Sequence, residues 1–168
     1  CAAGDWGPRG QPNGADFSVA YPAASPYCVG CGGTRLELDG SNNIISETVW
    51  GNNGTAYATG GGTSVYAPTP SFQSGLSYRT YPDYVGPPTP LTQRGVPDIG
   101  GNADGDSGYS FYLGNAQYYS ANVGGTSATA PIMAAMMARI NQLKQSWSGL
   151  PLASWYSNKS TCFNDITS

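Results

Sequence analysis

The residue of this chain best placed for chemistry is a serine. In Gly124-Gly125-Thr126-Ser127-Ala128-Thr129-Ala130-Pro131 a hydroxyl stands where two glycines give way to an apolar run. Paired glycines let the backbone turn tightly, which leaves Ser127 at the N-terminus of the following helix. Unpaired N–H groups and the helix dipole favour negative charge there, as a developing oxyanion requires. A serine in that place can also be a plain N-cap, and the segment alone leaves both readings open. The chain has no histidine. Ser-His-Asp and Cys-His catalytic units are therefore excluded from it, with histidine-ligated zinc and imidazole switches. Any acid–base chemistry falls to carboxyl groups, which points to acidic working conditions.

These groups need a scaffold to position them, and the sequence divides into two textures. The first 120 or so residues read as short strands between Gly, Pro, Asn and Asp clusters. Residues 27–33, 35–38 and 44–50 are strand-like, with a turn at Asp39-Gly40 and a loop through Asn43. Gly60-Gly61-Gly62 and residues 67–70 read as a loop-rich bridge, and residues 82–97, with five prolines, as irregular surface. A short segment begins at Asp98-Ile99, and residues 108–113 and 117–122 look like two further strands. From Ala128 to Lys144 the apolar residues Ile132, Met133, Met136, Met137, Ile140 and Leu143 recur at helical spacing. Its first half is apolar or small on every face, the pattern of an interior helix, with Pro131 expected in the first turn. No internal repeat or second domain is apparent.

Composition narrows the class. A chain of 168 residues fits one domain with a sizeable core. Net charge is −3 with a pI near 4.5 and no basic run, which argues against nucleic-acid and anionic-membrane partners. Only 10% of residues are charged, so few carboxylates need protonating in acid, which suits acid tolerance. No apolar stretch reaches the ~20 residues of a membrane span. An opening Cys1-Ala2-Ala3, in place of Met and a basic region, is expected of a processed chain or a piece of a longer one. Four cysteines, Cys1, Cys28, Cys31 and Cys162, suit one or two disulfides in an exported protein, with three pairings open. Asn53-Gly54-Thr55 and Asn158-Lys159-Ser160 are glycosylation sequons.

Gly-Thr-Ser-Ala-Thr-Ala-Pro leading into an apolar helix resembles the nucleophile segment of subtilisin-like serine peptidases, and more narrowly that of the sedolisin family, the serine-carboxyl peptidases. Further resemblances run along the chain in order. Ala3-Gly4-Asp5-Trp6-Gly7 is similar to the family's Gly-Asp-x-Gly segment. Residues 21–27 followed by Gly32-Gly33-Thr34 resemble its Pro-Ala-Ser-x-Pro-Tyr to Gly-Gly-Thr stretch, with one extra alanine. Glu47-Thr48-Val49-Trp50, Gly60-Gly61-Gly62, Pro70, Gln73 and Arg94-Gly95-Val96-Pro97-Asp98-Ile99 recur at similar spacing.

The resemblance implies part of a subtilisin-like α/β fold, a mostly parallel sheet with a buried helix following Ser127. It implies an acid-acting endopeptidase in which Ser127 is the nucleophile and Asp5 the oxyanion-hole residue. Asp5 could otherwise be a turn residue capping backbone groups. In the family a glutamate replaces the histidine base, supported by an aspartate in a Glu-x-x-x-Asp pair. That pair is absent from these residues, and Glu37 and Glu47 lie in strand-like segments. The chain therefore reads as the middle-to-C-terminal section of one catalytic domain, residues 1–168, with the base on a companion chain or segment. Cys162 to Ser168 resembles the start of the family's calcium site, which makes Asp165 and the Ile166 carbonyl expected ligands of an incomplete site. Asp104-Gly105-Asp106 reads as a plain turn. Peptide or protein substrates and a secreted or lysosome-like acidic setting complete the expectation. A non-catalytic β-rich module binding glycans through its aromatics, and an inactive peptidase homologue, are the other classes open to this sequence.

Overall fold

β-Branched and aromatic runs bounded by glycine and proline become short strands in the computed structural model, which describes residues 1–10, 17–51, 57–79, 87–114 and 118–166. They are β1 (Cys31–Leu38), β2 (Ile44–Val49), β3 (Gly62–Pro68), β4 (Ser77–Tyr78), β5 (Thr89–Pro90), β6 (Gln93–Val96), β7 (Ile99–Asn102), β8 (Tyr109–Leu113) and β9 (Tyr118–Val123). The helices are α1 (Thr126–Lys144), α2 (Leu152–Ser157) and α3 (Lys159–Cys162).

The central sheet has the order β2-β1-β7. β1 and β2 form an antiparallel hairpin. Its turn is built by Asp39, whose carboxylate accepts from the N–H groups of Ser41 and Asn43, both at 2.8 Å. β1 and β7 run parallel, Cys31 opposite Ile99 and Thr34 opposite Asn102. Parallel bridges also join Ala2 to Cys31 and Trp6 to Ala58. Residues 2–7 thus lie between the start of β1 and residues 58–60. The outlying pairs β3–β6, β4–β5 and β8–β9 are antiparallel. A sheet with parallel strands under a helix is the subtilisin-like α/β arrangement expected, but the pairing among the described residues is not mostly parallel. Of the strand pairs only β1–β7, beneath α1, is parallel, because the short outlying strands pair with partners running the other way.

α1 docks through its first turns. Thr129 is buried, and its hydroxyl lies 3.2 Å from the Gly101 carbonyl and 3.3 Å from that of Asn102, both on β7. Gly124 admits this approach, because a Cβ there would strike the backbone of Ala103, Asp104 and Gly105. Beyond the docked turns the helix is open. Ile132, Met136 and Leu143 are 42%, 38% and 76% exposed, so an interior-type sequence lies on the surface of these residues. The helix starts two residues earlier than its periodicity suggests. Pro131 is therefore its sixth residue, in the second turn, where it withholds an N–H from the backbone ladder.

Small side chains fill the core beside residues 2–7: Ala3, Ala23 and Val96, with Val19 against them. A polar cluster lies next to this core. Arg94 and Asp98 form an ion pair with both side chains 0% exposed. Asp98 also accepts from the Gly30 N–H at 2.7 Å and from the Tyr156 hydroxyl at 2.9 Å. Gln73 donates to the Gly95 carbonyl and accepts from its N–H, at 2.8 and 2.9 Å. Burial and the Asp98 charge push the Tyr156 phenol up to about 12. Strand pairing, with Gln73 holding Gly95, accounts for two departures from the sequence reading. Part of the 60–70 bridge is β3, and part of the proline-rich 82–97 stretch is β5 and β6, because pairing and Gln73 hold the backbone extended. Residues 82–86 lie outside the described residues, as do Gln117 and the Asn53 sequon.

Candidate active site

Asp5 and the Ser127 segment are 122 residues apart in sequence and meet in space. The Thr126 N–H donates to Asp5 Oδ1 at 2.7 Å, and the Thr126 hydroxyl lies 2.8 Å from the same oxygen. The hydroxyl oxygen in turn accepts the Gly4 N–H at 3.0 Å. Asp5 does cap a backbone N–H, as the turn reading anticipated, but the N–H belongs to the first turn of α1 and not to its own turn. Residues 4–7 are held in place by backbone bonds to residues 58–60: Gly7 N–H to Ala58 at 2.9 Å, Ala58 N–H to Asp5 at 3.1 Å and Gly60 N–H to Gly4 at 2.7 Å.

Gly125 is the N-cap of α1, with φ +88°, a left-handed value that glycine adopts without strain. Its missing side chain matters as much as its dihedral. A Cβ there would lie 2.8 Å from Asp5 Oδ2. Ser127 is the second helical residue and is solvent-exposed. The N-cap position belongs to Gly125, which has no side chain to cap with, and Asp5 supplies the cap to Thr126 instead, so the N-cap reading of Ser127 is set aside. What remains is an exposed hydroxyl in the first turn of a helix, one residue after the threonine that holds the Asp5 carboxyl.

Covalent chemistry anchors the same segment. Cys1 and Cys28 form a disulfide. Ala3 N–H donates to the Cys31 carbonyl at 2.8 Å and Cys31 N–H to the Cys1 carbonyl at 2.7 Å. Cys31 is a buried free thiol and Cys162 an exposed one. Burial pushes the Cys31 thiol above its ordinary range, which keeps it protonated and unreactive.

The other sequence candidates lie elsewhere. Glu47 accepts from the Thr34 hydroxyl at 2.8 Å, and Glu37 from Ser46 at 3.1 Å, both bonds lying across the β1–β2 hairpin. Asp104 caps a short 3-10 turn by accepting from the Asp106 N–H, and both aspartates face Arg35 at 3.1 and 3.2 Å, which makes that loop a structural turn. Asp165 is exposed and Ile166 partly buried, after α3. Together they offer two oxygens of the six to eight that calcium takes. Among the described residues no cluster of three His, Cys, Asp or Glu could hold a metal. The residues present do not make a calcium site by themselves. Asn158 donates its amide to the Ser154 carbonyl at 2.9 Å, so its sequon nitrogen is engaged in α2. Sequence reasoning missed Thr126 and Gly125, although both stand inside the motif it identified. Among the described residues no helix is long and apolar enough to cross a membrane.

Comparison with known proteins gives a consistent result. No family profile matches the chain. Kumamolisin of Bacillus sp. (strain MN-32) is 39% identical over 166 residues, an alignment spanning 99% of this chain and 29% of kumamolisin. Sedolisin of Pseudomonas sp. (strain 101) is 38% identical over 154 residues, covering 89% of this chain and 24% of sedolisin. Among solved structures, Pseudomonas sedolisin, a serine-carboxyl proteinase complexed with two molecules of pseudo-iodotyrostatin, superposes with a TM-score of 0.75 at 35% identity. That match covers 96% of this chain and 42% of the solved one. The chain thus spans less than a third of the length of these two curated relatives.

Proposed function

The chain belongs to the sedolisin family, and from that premise we propose that it is the section of a serine-carboxyl endopeptidase that carries the nucleophile Ser127 and the oxyanion-hole residue Asp5. The observation that carries this reading is the meeting of Asp5 with the first turn of α1, through two bonds to Thr126 at 2.7 and 2.8 Å.

In this reading Ser127 Oγ attacks the peptide carbonyl and a bond forms to its carbon. The carbonyl π pair moves to oxygen, where the protonated Asp5 carboxyl and the positive N-terminal end of α1 receive it. The Ser127 proton passes to a glutamate base, supported by an aspartate, on a part of the protein other than these 168 residues. Collapse of the adduct breaks the C–N bond, the base returning its proton to the departing amine. The acyl-enzyme is then hydrolysed by water along the same route. Because Asp5 donates only when protonated, activity belongs to acid.

The remainder of the catalytic domain, on the same or a companion chain, would cover the apolar face of α1, where Ile132 and Met136 stand 42% and 38% exposed. Asp165 and the Ile166 carbonyl would supply two of the oxygens around a calcium ion completed by other residues. Protein or peptide substrates and an acidic, extracellular or lysosome-like setting follow from the same chemistry.

Fluorophosphonate labelling of the complete protein at acidic pH tests the assignment. An adduct on Ser127, lost in Ser127→Ala, is the expected result. Acid-dependent peptide cleavage with no adduct on Ser127 would refute it.

A further inference from the structure

Asp5 has two carboxyl oxygens in unlike surroundings, and the difference has a catalytic meaning. Oδ1 faces two donors, the Thr126 N–H at 2.7 Å and the Thr126 hydroxyl at 2.8 Å. The direction of the second bond is set by a third. The Gly4 N–H can only donate, and it does so to Thr126 Oγ1 at 3.0 Å, which leaves the hydroxyl hydrogen for Oδ1. Thr126 is 0% exposed, so water does not compete for these groups. Oδ2 lies on the side of Gly125, where even a Cβ would come within 2.8 Å of it.

An oxygen that already receives two hydrogens is the carbonyl-type oxygen of a neutral carboxyl. The proton of an acid-form Asp5 therefore resides on Oδ2. Were the Thr126 hydroxyl absent, Oδ1 would keep only the backbone donor, and the two oxygens would compete more evenly for the proton.

We propose that Thr126 is a positioning residue: its buried hydroxyl, oriented by the Gly4 N–H, occupies Asp5 Oδ1 and so reserves Oδ2 for the proton that Asp5 presents to the tetrahedral oxyanion. This deepens the reading of Asp5 given above and rests on it. It also assigns a role to the threonine before the nucleophile, which touches no substrate itself.

The test uses the complete, active protein and three variants, Thr126→Val, Thr126→Ala and Thr126→Ser, with a peptide substrate and a peptide aldehyde. The aldehyde forms a hemiacetal whose oxygen occupies the oxyanion position, so it reports the same donor. Thr126→Val is expected to lower kcat about tenfold and weaken aldehyde inhibition by a similar factor, with KM changed less than about twofold. Thr126→Ser, which keeps the hydroxyl, is expected to restore both to within about threefold. If the valine variant does not fold, the alanine variant replaces it in the same comparison. Unchanged kcat and aldehyde affinity without the hydroxyl would overturn the proposal, and so would a serine variant as impaired as the variant lacking the hydroxyl. Fluorophosphonate labelling of Ser127 separates the two levels. If the unsubstituted protein is labelled and the variants behave as unmodified, only the role of Thr126 fails. If the unsubstituted protein cleaves peptide without a Ser127 adduct, the assignment of the site fails with it.

Discussion

Replacing Arg94 by methionine isolates a fully buried ion pair of this fold. Both side chains of the Arg94–Asp98 pair are 0% exposed, and the guanidinium reaches Asp98 Oδ1 at 2.7 Å and Oδ2 at 2.5 Å. It also donates to the Gly95, Cys28 and Ser25 carbonyls. Methionine keeps most of the volume and removes the charge. Asp98 is then left with the Gly30 N–H and the Tyr156 hydroxyl as partners. A buried carboxyl without its counter-charge folds in the neutral form. Protonating an ordinary carboxyl costs about 1.4 kcal/mol per pH unit above ~4, hence about 4 kcal/mol at pH 7 and almost nothing at pH 4. The lost carbonyl contacts add about 1–2 kcal/mol that does not vary with pH. The sign follows: the folded variant holds a proton that the unfolded chain releases above pH 4, so its stability rises as pH falls. Urea denaturation of the complete protein at pH 4 and pH 7 should show a penalty of about 5 kcal/mol at pH 7 shrinking to about 1–2 at pH 4, within the usual range for breaking a buried pair. Adding Asp98→Asn should abolish the pH dependence. A penalty equal at both pH values to within about 1 kcal/mol would refute the reasoning.

Two other outcomes follow from the same structure. Tyr156, raised to about 12 from an ordinary 10, supports the fold fully below pH 10, and that support is lost as pH rises through 12. Tyr156→Phe should cost about 1–2 kcal/mol at neutral pH, from its lost bonds to Asp98 and Gln73, and flatten the decline in melting temperature above pH 10. An unchanged alkaline decline would count against the assignment. Cys28→Ser opens the Cys1–Cys28 disulfide, whose cysteines are 27 residues apart, and should cost about 3–4 kcal/mol on the loop-entropy estimate. Thermal melts with and without reductant check it, since the reduced parent should behave as the variant does.

Local signals carried the strongest sequence readings because their physics is local. The Asp39 turn needs only its own carboxylate and the next few N–H groups, and the hairpin it closes is where the sequence placed it. The Ala128–Lys144 periodicity found α1, and the Gly-Thr-Ser segment located its start to within two residues. α2 and α3 escaped notice, being four to six residues long and too short for periodicity to register. β3 and β6 were hidden by glycine and proline, residues that disfavour strands unless a partner holds them extended.

Chemistry divides along the same line. The absence of histidine excluded whole mechanisms from composition alone, and the order of the motifs identified the family before any coordinate was known. Which cysteine joins Cys1, and that Cys31 stays a buried thiol, required the fold, since four cysteines permit three pairings. So did the contact between Asp5 and Thr126, because a hydrogen bond across 121 residues leaves no local trace in composition or spacing. A motif names which atoms are candidates. Only the packing of β1, β7 and residues 2–7 against the first turn of α1 decides which oxygen of Asp5 is engaged by Thr126 and which faces Gly125.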